Sequence, residues 1–116
     1  MSGKRRGPDY FSDILEAMQR VNSYTGGLSY EQFMEDKRTQ DAVVRNIEVI
    51  SEAVKRLSSS LKKQHPAIPW KDMAGMGDRV IHDSFGINHD IVWTVVSEEI
   101  PKLLLSVAGV LKKLRE

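Results

Sequence analysis

Residues 39–61 read TQDAVVRNIEVISEAVKRLSSSL, and this stretch decides the fold class. Because an α-helix completes one turn every 3.6 residues, side chains that recur every three or four positions share one face. The stretch is therefore predicted to form the longest helix of the chain, with Thr39 as its N-cap. Its apolar stripe consists of Val43, Ile47, Ile50, Val54, Leu57 and Leu61.

Two further helices are predicted before this stretch. Residues 9–24 carry an apolar face with helical spacing, and the pair Gly26-Gly27 ends that element. Ser29 and Gln32 have the spacing of a capping box, in which each side chain accepts a hydrogen bond from the other residue's backbone N–H. A short helix is therefore expected to begin after Ser29.

The second half of the chain is predicted to contain two more helices. The proline-punctuated segment 65–69 leads into a helix over residues 70–83, which Gly86 ends. Asn88 is expected to cap the last helix, which kinks or restarts at Pro101. Alternating strand patterns and internal repeats are absent from the sequence. We therefore predict an all-α domain, an antiparallel bundle of four main helices with one short extra helix.

Composition and charge narrow the classes of function. The chain of 116 residues is 41% hydrophobic and 28% charged, which is typical of one globular domain. Without cysteine it can form no disulfide or thiolate zinc site, and its apolar runs are too short to span a membrane, so we expect a cytoplasmic protein. The net charge is +1, to which Lys4, Arg5 and Arg6 alone contribute +3, so the remainder is not a strongly basic nucleic-acid-binding domain. Residues 1–8 are expected to form a flexible basic tail and residues 9–116 the folded domain.

Most motifs with a known chemical role are absent. The sequence has no Gly-rich phosphate loop and no HExxH, EF-hand or Glu-x-x-His pattern, so we predict no metal and no cofactor. His82 is the one side chain of its charged segment that exchanges protons readily near neutral pH. Arg79 precedes it by three residues, on the same helical face, and could hold a phosphate beside the imidazole. On spacing alone, a solvated surface histidine is the alternative.

Several separated motifs agree in order and spacing with one known protein family. They are DILEA (13–17), QDAVVRNIEVISEAVKRL (40–57), HPAIPW (65–70), IHDSFGI (81–87) and IVW (91–93). Together they resemble the HepT-like members of the HEPN proteins over about residues 9–114. The resemblance implies an all-helical homodimer that acts as the toxin of a type VII toxin–antitoxin system. The antitoxin of such a pair is an MNT nucleotidyltransferase.

The same resemblance implies that the protein cleaves RNA without a metal ion. The family motif is Arg-x4-His-x-Tyr, and its two copies face each other across a cleft at the dimer axis. By this resemblance His82 would act as acid and base while a ribose 2′-hydroxyl attacks the neighbouring phosphate, which the motif arginine would hold. The motif tyrosine can accept AMP from the antitoxin, which blocks the cleft. The implied partners are RNA, a second copy of the chain and the cognate MNT nucleotidyltransferase.

Two of the three motif positions depart from the family pattern. Gly77 stands at the position of the motif arginine and Ser84 at that of the AMP-accepting tyrosine. The bidentate phosphate clamp is therefore lost, and the hydroxyl of Ser84 has a shorter reach than a phenol. Arg79 is a poor substitute, because it lies about 200° around the helix from position 77. Three functions stay open: an impaired ribonuclease toxin, a catalytically inactive homodimer that binds its MNT partner, and a helical interaction module.

Three further expectations concern side chains around this motif. Gly77→Arg should fold, since arginine is the better helix former, and should raise RNA cleavage by about tenfold or more. Glu52 should either reach the cleft or form a structural ion pair. A homodimer is predicted because one apolar face is larger than a small bundle buries by itself; this face consists of Ile68, Met73, Met76, Ile81 and Phe85.

Overall fold

Helices account for nearly all of the chain in the computed structural model, which describes residues 7–81 and 86–115. The predicted all-α fold is confirmed, and within those ranges the only β element is a single bridge between Ile81 and Ile87. No described helix is both long and apolar enough to cross a membrane. The helices are α1 (Gly7–Thr25), α2 (Tyr30–Glu35), α3 (Lys37–Arg56), α4 (Ser59–Lys63), α5 (Trp70–Ala74), α6 (Met76–Val80), α7 (His89–Thr94) and α8 (Ile100–Arg115), with a π-helical turn (Val95–Glu99) before α8.

The core forms where α1 packs against α3 and α8, and α3 also supports α5 and α6. The predicted stripe of α3 is buried as expected, with Val43, Ile47, Ile50 and Val54 fully excluded from solvent. Because such side chains fill a close-packed interior, truncating Ile47 to alanine is worth about 2–5 kcal/mol of stability. Residues 1–6 of the predicted basic tail lie outside the described residues, and α1 begins at Gly7.

Two of the predicted caps are confirmed. Ser29 and Gln32 form the capping box, with 3.1 Å from the Gln32 N–H nitrogen to Ser29 Oγ and 2.9 Å from the Ser29 nitrogen to Gln32 Oε1. Asn88 caps α7, because its Oδ1 accepts the Ile91 N–H at 3.1 Å. Each cap satisfies a backbone N–H that has no partner within its helix.

The predicted cap of α3 is wrong. The N-cap is Asp36, whose Oδ1 accepts the Thr39 N–H at 3.0 Å and whose Oδ2 accepts the Thr39 hydroxyl at 2.7 Å. Thr39 is therefore the capped residue, and α3 begins at Lys37. Aspartate takes the role because a carboxylate accepts both hydrogen bonds at once and also interacts favourably with the helix dipole.

Helix α3 also ends earlier than its apolar periodicity predicts. The helix stops at Arg56, Leu57 adopts an extended backbone, and the Ser58 hydroxyl accepts the Leu61 N–H at 3.1 Å to begin α4. Leu61 keeps its place against the core although it belongs to a different helix. The apolar spacing therefore continues across a real helix boundary.

The helix predicted over residues 70–83 is two short helices. Gly75 ends α5 with its N–H bonded to the Lys71 carbonyl at 3.1 Å, and α6 starts immediately afterwards. Helix α6 ends at Val80, because Ile81 turns to an extended backbone and pairs with Ile87. The predicted end near Asp83 is therefore wrong, because the helix already stops at Val80.

The predicted restart near Pro101 is confirmed, with a feature that the sequence did not indicate. Proline has no N–H to donate, so the preceding turn widens and the Ile100 N–H bonds to the Val95 carbonyl in a π-helical turn. Helix α8 then runs from Ile100. The extra residue in this turn sets the direction in which Glu99 leaves the helix.

Candidate active site

The two chain segments that flank residues 82–85 are held side by side. The Val80 carbonyl accepts the Asn88 N–H at 2.7 Å, and Ile81 and Ile87 form an antiparallel bridge. Gly86 has a φ of +90°, a conformation that glycine adopts without steric cost. His82 and Ser84, the predicted catalytic and modification residues, lie outside the described residues. The structure therefore describes the backbone on either side of them, residues 80–81 and 87–88, which we call the frame.

Gly77, at the position of the motif arginine, is buried against α3. Its N–H donates to the hydroxyl of Ser51 at 2.7 Å. A Cβ atom added at Gly77 would lie 3.0 Å from Ser51 Oγ, which is tighter than ordinary van der Waals contact, and 3.4 Å from Ser51 Cβ. The expectation that Gly77→Arg folds stays a prediction, and a side chain at position 77 would require Ser51 to shift by a few tenths of an ångström.

Arg79 faces a different part of the molecule. Its Nη1 and Nη2 donate to Glu99 Oε2 and Oε1 at 3.1 and 2.8 Å, so the guanidinium makes a bidentate pair with the end of the π-helical turn. The hydrogen bonds from Glu99 raise the pKa of Arg79, partial burial opposes this, and the charges of Glu99 and Asp72 add to the rise. Gly77 faces α3 whereas Arg79 faces Glu99, which agrees with the predicted angular separation. A phosphate bound to Arg79 would therefore compete with Glu99 for the guanidinium.

Glu52 forms the structural ion pair, one of the two roles expected for it. Its Oε1 lies 3.0 Å from Nη2 of Arg56, one turn further along α3, and both side chains are exposed. The pair borders an open groove of about 260 Å³ between α1 and α3. Among the described residues, no three His, Asp or Glu side chains converge in a way that could hold a metal ion.

The apolar face used to predict a homodimer is mostly internal. Ile68, Met73 and Met76 are buried within the protomer itself, so they are not surplus to its own core. Ile81 is the exception, with 42% of its surface exposed, and Phe85 lies outside the described residues. The apolar face is therefore wrong as a reason for dimerisation at three of its five residues, and Ile81 is the one of its described members that is exposed.

An aromatic cluster fixes α7 on the other side of the frame. The Tyr30 hydroxyl donates a hydrogen bond to Asp90, and this bond raises the pKa of Tyr30. Trp93 packs against Tyr30 and against Phe33, with ring centroids 6.2 and 5.3 Å apart. Trp93 therefore contributes to packing. The bond from Tyr30 helps hold the start of α7 beside Asn88.

Sequence reasoning missed Ser51, Glu99 and the bond between Tyr30 and Asp90. Ser51 carried a signal, because it is a polar residue on the buried side of an otherwise apolar helix. Glu99 carried none, since it is 20 positions from Arg79 and its direction depends on the π-helical turn.

Comparison with known proteins gives a consistent result. A family model described as "Ribonuclease HepT-like" matches residues 14–108. A protein named "Probable ribonuclease HepT" from Thermococcus cleftensis is 42% identical over 113 residues, which cover 97% of this chain and 99% of the relative. A candidate RNase of Methanocaldococcus jannaschii is 39% identical over 103 residues, covering 89% of this chain and 85% of the relative. A candidate RNase of Caldanaerobacter subterraneus subsp. tengcongensis is 38% identical over 104 residues, covering 90% and 93%. No solved structure matches the chain.

Proposed function

The chain belongs to the HepT-like ribonuclease family, and from this membership we propose that it is a metal-independent endoribonuclease with an impaired active site. We further propose that it is the toxin of a type VII toxin–antitoxin pair, inhibited by an MNT nucleotidyltransferase. The observation that carries the proposal is the family match over residues 14–108, a range that includes His82.

The proposed reaction is an internal transesterification of RNA. His82 removes the proton of a ribose 2′-hydroxyl, whose oxygen attacks the adjacent phosphorus and displaces the 5′-oxygen of the next nucleotide. A protonated imidazole then gives its proton to that leaving oxygen. The products are a 2′,3′-cyclic phosphate and a 5′-hydroxyl, so atoms and charge balance without a metal ion or a cofactor.

The proposed impairment follows from what surrounds the motif positions. At position 77 a backbone N–H is present, but it is already bonded to Ser51, and no cationic side chain is there to hold the phosphate. The nearby cation, Arg79, is paired with Glu99. Removing one donor that stabilises transition-state charge ordinarily costs about 10²–10³ in rate. We therefore propose weak rather than family-typical cleavage.

A second copy of the chain is proposed to complete the cleft. Ile81 immediately precedes His82 and is 42% exposed, and Leu105 on α8 is 82% exposed. Large aliphatic side chains gain free energy when a partner covers them, about 25 cal/mol per Å² of apolar surface. Ile81 is adjacent in sequence to His82, so its exposure is the observation that supports the proposed homodimer.

The alternative function is a catalytically inactive homodimer that binds the MNT nucleotidyltransferase. The glycine at position 77 favours it, because its N–H is already bonded to Ser51 and no guanidinium is there to hold a phosphate. Co-expression with the cognate nucleotidyltransferase should give a complex that stays together on size exclusion, and Ser84 is the proposed position of any AMP. Separate elution of the two proteins would contradict the proposed pairing, and intact mass would reveal AMP on the chain.

Cleavage of RNA by the purified chain tests the proposal directly. We expect slow cleavage that persists with excess EDTA, and His82→Ala should lower the rate by about 10²–10⁴-fold. His65→Ala is the matched control, since it removes a histidine that packs against Phe11 and should keep the parent rate. Equal rates for the parent and His82→Ala, or loss of all cleavage in EDTA, would overturn the proposal.

A further inference from the structure

Ser51 is a buried hydroxyl that joins α3 to the junction between α5 and α6. Only 4% of the residue is exposed. Its Oγ accepts the Gly77 N–H at 2.7 Å and lies 3.4 Å from the Met73 carbonyl oxygen, to which it donates. A single side chain of α3 therefore satisfies one backbone group of each short helix.

Helix α6 depends on this hydroxyl for its first turn. The first N–H groups of a helix have no partner within it, and a capping side chain normally accepts one of them. The N-cap of α6 is Gly75, which makes no side-chain cap. Ser51 takes over that role from a neighbouring helix by accepting the Gly77 N–H. A buried N–H left without a partner would destabilise this part of the fold.

The same hydroxyl determines what can stand at position 77. A Cβ atom there would meet both side-chain heavy atoms of Ser51, at 3.0 Å for Oγ and 3.4 Å for Cβ. Neither atom lies at the end of a long, adaptable side chain. Replacing Ser51 by glycine would remove both obstacles and the cap at once.

Position 77 is also coupled to the residue before His82. The Gly77 carbonyl accepts the Ile81 N–H at 3.2 Å, and Ile81 bridges Ile87. Hydrogen bonds therefore lead from Ser51 through Gly77 to the frame that carries the proposed catalytic histidine. Residue 51 is therefore linked to Ile81 by two hydrogen bonds across α6, a helix of five residues.

We propose that Ser51 and Gly77 form a matched pair, in which the Ser51 hydroxyl positions α6 and closes position 77 to any side chain. An arginine at position 77 is accommodated, and restores phosphate binding, only when residue 51 is glycine. Ser51 is thus a positioning residue for the active site. The catalytic part of this inference rests on the proposed function, whereas the packing part does not.

The test compares four proteins: the full-length parent, Ser51→Gly, Gly77→Arg and the double variant that carries both changes. We expect each single change to lower the Tm, by about 5 °C or more for Gly77→Arg, and the double variant to melt no lower than Ser51→Gly. Shifts in Tm that simply add in the double variant would overturn the matched pair. Should Gly77→Arg fail to fold, Gly77→Ala in the Ser51 and Ser51→Gly backgrounds asks the same question with one methyl group.

RNA cleavage by the same proteins tests the catalytic part. We expect the double variant to cleave at least about tenfold faster than the parent, while Ser51→Gly alone does not. The control is Ser51→Gly with Gly77→Gln, which has a polar side chain but no guanidinium and should cleave no faster than Ser51→Gly alone. Non-additive Tm values with unchanged cleavage would leave the packing pair intact and overturn the phosphate role of position 77. A structural role alone would not make the rate depend on the guanidinium.

Discussion

Arg79 and Glu99 illustrate how a residue that the sequence places near the proposed catalytic histidine can be bound to another partner instead. The bidentate pair joins α6 to the π-helical turn, and the side chains are 41% and 30% exposed. Partly exposed ion pairs are screened by solvent, so their contribution to stability is small even when the geometry is good. The pair therefore matters more for where the guanidinium points than for the stability of the fold.

Glu99→Gln tests whether the ion pair between Arg79 and Glu99 contributes little to the stability of the fold. The amide keeps one acceptor for the guanidinium but removes the charge, so the free energy of unfolding should fall by less than about 1 kcal/mol. The difference in unfolding free energy between the parent and Glu99→Gln should be smaller still in high salt, because salt screens the ion pair of the parent. Urea unfolding at low and high salt measures both. A loss of several kcal/mol that is insensitive to salt would contradict the interpretation.

At the scale of helices, Asp36 makes the start of α3 sensitive to pH. The hydroxyl and the backbone N–H of Thr39 donate to the Asp36 carboxylate and hold its pKa below the usual value. A pKa that is lower in the folded state means that the charged form stabilises the fold. That contribution is present above the pKa of the unfolded chain, about 3.9, and is lost as the pH falls through the folded value.

Asp36→Ala should therefore lower the Tm at neutral pH, and its difference from the parent should narrow as the pH falls below about 4. Asp36→Asn is the control, because it keeps a capping acceptor but does not titrate. Thermal unfolding followed by circular dichroism over this pH range gives the comparison. A difference that stays constant down to the lowest pH would show that the carboxylate charge contributes nothing.

The helices also show which features a sequence can predict. The stripe of α3 and the caps at Ser29 and Asn88 depend on residues within one or two turns, and these were predicted correctly. The break at Gly75 was missed because it depends on Ser51 capping α6 from 26 positions away. The end of α3 was missed because the apolar period continues from Leu57 to Leu61 across a change of backbone direction. Periodicity reports which face is buried and does not report where the hydrogen bonds stop.

At the scale of the whole molecule, the exposed side chain of Ile81 supports the proposed homodimer. We expect a homodimer whose mass by light scattering is twice that of one chain at micromolar concentration. Ile81→Glu should shift the protein toward monomer, since a carboxylate cannot be buried unpaired in an apolar contact. Tyr24→Glu is the matched control, because Tyr24 is equally exposed at 42% but lies at the far end of α1. A parent protein of monomer mass would contradict the dimer.

The central claim is that the chain cleaves RNA by using a 2′-hydroxyl of the RNA itself as the attacking group. One pair of substrates tests this claim most directly. The first is an RNA oligonucleotide in which the cleaved bond has been mapped, and the second carries 2′-deoxyribose only at the nucleotide that precedes this bond. The account predicts 2′,3′-cyclic phosphate ends from the first substrate in excess EDTA, and no cleavage of the second at that bond. Cleavage of both substrates at equal rates would contradict it, because the attacking oxygen would then have to come from elsewhere.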